Sequence, residues 1–124
     1  FEKRGVEVKI ATDDASAGHH GLVTELLAQA LDASPAAAHA SSAAGDRTPV
    51  RIMCCGPEKM MEAVAHLALK RNIPCDVSLE TPMACGIGIC FSCVAKVLQE
   101  DGSWDYRRTC VEGPVFAASS LAWD

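Results

Sequence analysis

The chain has 124 residues, a formal net charge of −5, a sequence pI near 5.3 and 49% apolar residues. A chain of this length buries roughly two-thirds of the surface its unfolded form exposes, enough for one domain or two small ones. The acidic balance argues against a nucleic-acid or anionic-membrane partner, and no apolar run is long enough for a transmembrane helix. With no signal peptide evident, a cytoplasmic location is the default expectation. The chain begins at Phe1 and not Met, and is expected to be a piece of something longer.

Val6-Glu7-Val8-Lys9-Ile10 alternates apolar and charged residues and runs into Ala11-Thr12-Asp13-Asp14, which predicts a strand ending in a turn. His19 and His20 follow in a Gly-flanked loop with no third ligand in sequence reach, so they read as loop residues, not metal ligands. Leu22 to Leu31 carries an apolar stripe at Leu22, Val23, Leu26, Leu27, Ala30 and Leu31, predicting a helix. Residues 32–48 are a low-complexity mixture of Ala, Ser, Pro and Gly, expected to form a flexible insertion in which His39 is solvated.

A second strand is predicted over Pro49–Cys54, then a Cys55-Gly56-Pro57 turn and a helix from Glu58 to about Arg71. Asn72 can take the left-handed conformation and Pro74 bars continuation. On this helix Met60, Met61, Val64, Leu67 and Ala68 form one broad face, a core surface by spacing. Cys75 to Glu80 predicts a third strand. Strand, helix, strand, helix, strand over residues 6–80 implies the α/β class, with a partial parallel half-sheet. Ligands in such sheets sit at strand carboxyl ends, which singles out Thr12-Asp13-Asp14 and Cys55-Gly56-Pro57. A carboxylate there can accept hydrogen bonds from ribose hydroxyls; equally, it can cap the following turn. Strand–Gly–Pro–helix likewise occurs as plain turn chemistry. No G-x-G-x-x-G phosphate-binding turn precedes these strands.

The next stretch, Met83 to Cys93, places Cys85, Cys90 and Cys93 at C-x4-C-x2-C spacing, and Cys110 follows with sixteen residues between. This is the plant-type ligand pattern for a [2Fe–2S] cluster, with Gly86 and Gly88 letting the loop fold around a small object. Structural zinc is the competing reading, but zinc modules pair C-x2-C with another C-x2-C or an H-x3-5-H. Val94 to Leu98 and Trp104 to Arg108 flank Asp101-Gly102, predicting a hairpin that returns Cys110 to the other thiols. Gly113-Pro114 closes this β-rich unit, residues 81–124, and Val115-Phe116 is expected to cover it. Cys54, Cys55 and Cys75 remain as free thiols suited to a reducing compartment.

Four stretches together resemble one family: Ile10 to Leu27, Met53-Cys-Cys-Gly-Pro-Glu-Lys-Met-Met61, Pro74 to Glu80, and Met83 to Cys93, continued by Arg107-Arg-Thr-Cys110 and Gly113-Pro-Val-Phe116. They are similar to the electron-transfer subunit of the heterotetrameric, NAD-linked dihydroorotate dehydrogenases, itself similar to ferredoxin–NADP reductases. The resemblance implies an FAD-binding barrel, a nucleotide domain and a C-terminal [2Fe–2S] domain. This chain would supply the second half of the nucleotide domain, residues 1–80, and the cluster domain. It further implies that Cys85, Cys90, Cys93 and Cys110 hold the cluster, that Cys55, Gly56 and Pro57 lie near nicotinamide and flavin, and that Thr12 and Asp13 read the adenosine ribose, favouring NAD over NADP. The implied partner is an FMN-containing catalytic subunit. Related hydrogenase or sulfite reductase subunits share the arrangement, and a zinc-stabilised, non-redox binding module is the reading from another class. Ala15, where the family commonly has Gly, and Thr81-Pro82 depart from the pattern.

Overall fold

The computed structural model describes residues 1–34 and 50–123. The expected insertion at 32–48, with His39, therefore lies almost wholly outside the described residues. The chain divides into two compact units, one in Phe1–His39 and the other in Ala40–Asp124.

In the first unit a single 3-10 turn, Glu2–Arg4, leads through an extended stretch to β1 (Ala11–Thr12). β1 pairs in parallel with β2 (His19–His20), Ala11 opposite His19. The strand expected over Val6–Ile10 is not formed: Val6, Val8 and Ile10 are exposed, and regular pairing begins only at Ala11. Alternation specifies two faces but supplies no neighbour, and a strand exists only when paired. The β1–β2 connection folds tightly on itself. His19 N–H donates to the Ile10 carbonyl at 2.7 Å, and Gly18 sits so close to that carbonyl that a Cβ would meet its oxygen at 2.1 Å. α1 (Val23–Ala33) matches the predicted stripe and buries Leu31. Its first turn is tied to β2 by His19 Nε2 and Glu25 Oε2, 2.8 Å apart.

The second unit begins with β3 (Ile52–Cys55), α2 (Glu58–Lys70) and β4 (Cys75–Ser78). β3 and β4 pair in parallel, with Ile52 opposite Cys75 and Cys55 opposite Ser78. α2 buries Met61, Val64, Ala65 and Ala68, whereas Met60 and Leu67 are only half-buried. Against this face the central strand buries Cys75 and Val77, the latter completely. Each large apolar side chain so buried stabilises the fold by about 1.5–3 kcal/mol. The helix stops as the sequence implies: Asn72 takes φ 53°, and the Ile73 N–H returns to the Ala68 carbonyl at 2.9 Å.

β5 (Val94–Leu98) and β6 (Trp104–Arg108) form the predicted antiparallel hairpin, Val94 opposite Arg108. At its turn Gly102 takes φ 82°, and Asp101 Oδ1 accepts from the Ser103 N–H and hydroxyl. β7 (Val115–Ala117), expected to cover the β-rich unit 81–124, pairs instead with a strand that precedes it. It adds antiparallel to the free edge of β4, so the sheet order is β3-β4-β7. The α/β class holds, but in this sheet only β3 and β4 run parallel and the third strand runs the other way. Among the described residues, no helix is long and apolar enough to cross a membrane.

Candidate metal centre

Three of the four motif cysteines lie in the irregular loop between β4 and β5, and the hairpin fixes the fourth. Because Val94 faces Arg108, the residues just outside that pair, Cys93 and Thr109, also meet: the Thr109 N–H donates to the Cys93 carbonyl at 2.9 Å. The next residue, Cys110, places its Sγ 2.9 Å from Cys93 Sγ. Spacing alone gave the ligand set; the hairpin register is what closes it.

The loop bends at Gly86 and Gly88, with φ 68° and 76°. The backbone amides of Cys90, Ile87 and Ile89 and the Cys90 thiol act on the Cys85 thiol. The Cys90 amide is the largest influence, and together these donors hold the Cys85 thiol down at about 6. Cys93 is also lowered, chiefly by its hydrogen bond with Cys110, and Cys110 is correspondingly raised. Cys93 is buried, Cys85 and Cys90 are half-buried and Cys110 is exposed. Cys93 and Cys110 thus form a pair, and the charge of Cys85 raises the pKa of both its members.

Among the described residues, no three Cys, His, Asp or Glu side chains converge on one point as a single ion requires. Four thiolates, two to each iron, are the donor set of a dinuclear centre, and Cys93 and Cys110 stand together as one such pair. The residues present fit a [2Fe–2S] group better than one tetrahedral zinc. The other cysteines belong elsewhere: burial pushes the Cys54 and Cys75 thiols up, and both are in the β3–β4 sheet.

The remaining candidates divide. The Thr12 hydroxyl donates to the Ala17 carbonyl at 2.9 Å and accepts the Ala17 N–H at 3.2 Å, so it is used in holding its own turn. Asp14 likewise accepts the Ser16 N–H, and Ser16 holds its carboxyl below the usual range. Asp13 is exposed, with no hydrogen bond or ion pair among the described residues. Gly56, at φ 151°, and Pro57 line a cavity of about 590 Å³ with Glu58, Glu80, Tyr106 and Trp123. Cys55 is exposed and does not line it. Pro57 is the N-cap of α2 and Glu58 its first residue, the start predicted from the sequence.

Sequence reading missed Thr109 and Arg108. Thr109 is buried, its hydroxyl bonded to the Thr81 hydroxyl and to the Cys93 carbonyl. The only signal was adjacency to Cys110.

Residues 80–122 match the model of the iron–sulfur cluster binding domain of dihydroorotate dehydrogenase B. The chain is 36% identical over 121 residues to a dihydroorotate dehydrogenase B (NAD(+)) electron transfer subunit of Caldanaerobacter subterraneus subsp. tengcongensis, covering 98% of this chain and 42% of that protein. Similar matches are the same subunit from Desulforamulus reducens, 35% identical over 100% of this chain and 42% of the relative, and from Clostridium acetobutylicum, 37% over 97% and 40%. The chain therefore spans about two fifths of the length of these relatives. Among solved structures, a chain of the NADH-dependent reduced ferredoxin-NADP oxidoreductase, studied for flavin-based electron bifurcation, superposes with a TM-score of 0.63 at 26% identity, over 93% of this chain and 35% of that one. The chain is thus similar along nearly its whole length to the electron-transfer subunits of dihydroorotate dehydrogenase B, of which it spans about two fifths, and the segment carrying the four cysteines matches their iron–sulfur cluster binding domain.

Proposed function

We propose that the chain is the C-terminal part of such a subunit, and that Cys85, Cys90, Cys93 and Cys110 hold a [2Fe–2S] cluster. When bound, the cluster supplies one-electron steps between two-electron centres. Electrons from dihydroorotate would reach FMN on the catalytic subunit of a heterotetramer and leave through the FAD of the complete electron-transfer subunit to NAD⁺, in pyrimidine biosynthesis. The observation that carries this reading is the hairpin register that brings Cys110 Sγ to 2.9 Å from Cys93 Sγ at the end of the cysteine loop.

Two features support the direction of traffic. Met83, Ile87, Ile89, Phe91 and Val111 are each more than half exposed, an apolar collar around the cysteine loop suited to a protein partner. On another part of the unit the cavity at Gly56 and Pro57 is shaped for a flat ring beside a helix N-terminus. In this reading residues 1–80 are half of a nucleotide domain and 81–124 the cluster domain. Asp13, with Thr12 bracing its turn, reads the ribose, and Cys55 borders the nicotinamide. Turnover requires the FAD-binding part, so these 124 residues alone are not expected to oxidise dihydroorotate. The three thiols outside the cluster set, Cys54, Cys55 and Cys75, agree with a cytoplasmic, reducing location.

Anaerobic preparation followed by iron and acid-labile sulfide analysis tests the centre. About two irons and two sulfides per chain, with a visible spectrum that bleaches on reduction, are expected. A colourless protein holding stoichiometric zinc would overturn the assignment in favour of a non-redox binding module.

A further inference from the structure

Arg108, the last residue of β6, reaches back from the hairpin into the cysteine loop. Its Nη1 donates to the Gly88 carbonyl at 2.7 Å, and its guanidinium carbon lies 5.4 Å from the centre of the Phe91 ring. Both contacts fall between Cys85 and Cys93. The half-buried guanidinium has no carboxylate within ion-pair distance among the described residues. Glu112, the nearest acid in sequence, is committed to the Arg108 backbone N–H at 2.8 Å and to Arg107 at 3.6 Å.

The Gly88 carbonyl and the Ile89 N–H are the two ends of one planar peptide and point in opposite directions. Fixing the carbonyl end therefore fixes the plane of the peptide that links Gly88 to Ile89. Gly88 has a freely reorienting backbone, so without a partner for its carbonyl this peptide is free to flip.

We propose that Arg108 is a positioning residue for the iron–sulfur centre: it holds the Gly88 carbonyl, and with it the bend of the cysteine loop, and through that anchorage sets an unpaired positive charge beside the loop. This rests on the cluster reading above. A positive charge held there favours the reduced, more negative state of the centre, so Arg108 raises its reduction potential. Arg107, one residue earlier, faces the other side of the hairpin, pairs with Asp105 and Glu112, and has no such role.

The test is an EPR-monitored redox titration of the full-length, cluster-loaded protein with Arg108→Met, Arg108→Lys and, as control, Arg107→Gln. Arg108→Met is expected to lower the reduced-to-oxidised ratio at the wild-type midpoint about tenfold, 59 mV for one electron, and to shift the g-values. Arg107→Gln is expected to change that ratio less than twofold. A loaded Arg108→Met protein with the wild-type midpoint overturns the proposal. Should Arg108→Met take up no iron, Arg108→Lys decides: a ratio lowered at least twofold supports it, and a wild-type midpoint and spectrum overturn it. Wild-type protein without iron would instead refute the cluster reading itself.

Discussion

Gly88→Ala separates two reasons for a glycine in the cysteine loop. The residue sits at φ 76°, where an L side chain costs about 1–2 kcal/mol. An added Cβ would also meet Val111 Cγ2 at 2.8 Å, too close for two carbons. Val111 is about half exposed, so its side chain can turn into solvent at little cost, and backbone strain is the larger effect. The loop conformation is expected to become about five- to thirtyfold less populated relative to its alternatives. Because that conformation shapes the loop that carries Cys85 and Cys90, the loss should appear as faster iron release. Bleaching of the visible band in excess chelator, followed anaerobically, measures it. Val111→Ala in the Gly88→Ala background should restore little. Full rescue by Val111→Ala would show that the clash, and not the left-handed backbone, demands glycine; an unchanged release rate for Gly88→Ala would refute both reasons.

Cys90→Ser should abolish cluster assembly and destabilise the second unit, because metal ligation contributes to folding in so small a structure; iron and sulfide contents equal to wild type would contradict this. Thr109→Val removes a buried hydroxyl whose partners are the Thr81 hydroxyl and the Cys93 carbonyl, and should cost about 1–3 kcal/mol in urea unfolding, partly recovered by adding Thr81→Val. Independent, additive losses would show the two hydroxyls are not coupled. Asp13→Ser in the full-length protein should weaken or reverse a preference for NADH over NADPH, read as the ratio of the two affinities; a wild-type ratio would remove Asp13 from nucleotide recognition.

The motif, the hairpin and α2 were legible because each is encoded locally. Cysteine spacing, an Asp101-Gly102 turn, and the Gly56-Pro57 and Asn72 boundaries all act within a few residues. What failed was pairing at a distance. The alternation in Val6–Ile10 looked like a strand, yet nothing local says which neighbour would complete it. Val115–Phe116 was readable as a short apolar strand, but its place on β4 depends on an edge set by residues nearly forty positions earlier. The Thr12 hydroxyl illustrates a third kind of miss: a polar side chain at a strand end can serve a ligand or its own turn, and only the 2.9 Å bond to Ala17 decides how it is spent here. Arg108 carried no signal, since its partner is a backbone carbonyl that any residue would offer.

The misplaced strand has a mechanical consequence. The cysteine loop leaves the sheet at the end of β4, and the chain returns after Cys110 to pair along that same strand. The gate closes where the Leu79 N–H donates to the Pro114 carbonyl at 2.9 Å. The cluster unit is thus an excursion between hydrogen-bonded neighbours, held at both ends by one central strand whose Val77 is fully buried. The C-terminal segment adds a third hold, with the Ala122 N–H donating to the Lys96 carbonyl on β5 at 3.0 Å and Leu121 bridging Val97. A linker would let the thiols drift relative to the cavity at Gly56 and Pro57; anchorage on β4, the neighbour of β3, fixes their separation instead. Since electron tunnelling falls steeply with distance, a fixed gap is worth more to a carrier than flexibility, and the antiparallel strand is what secures it.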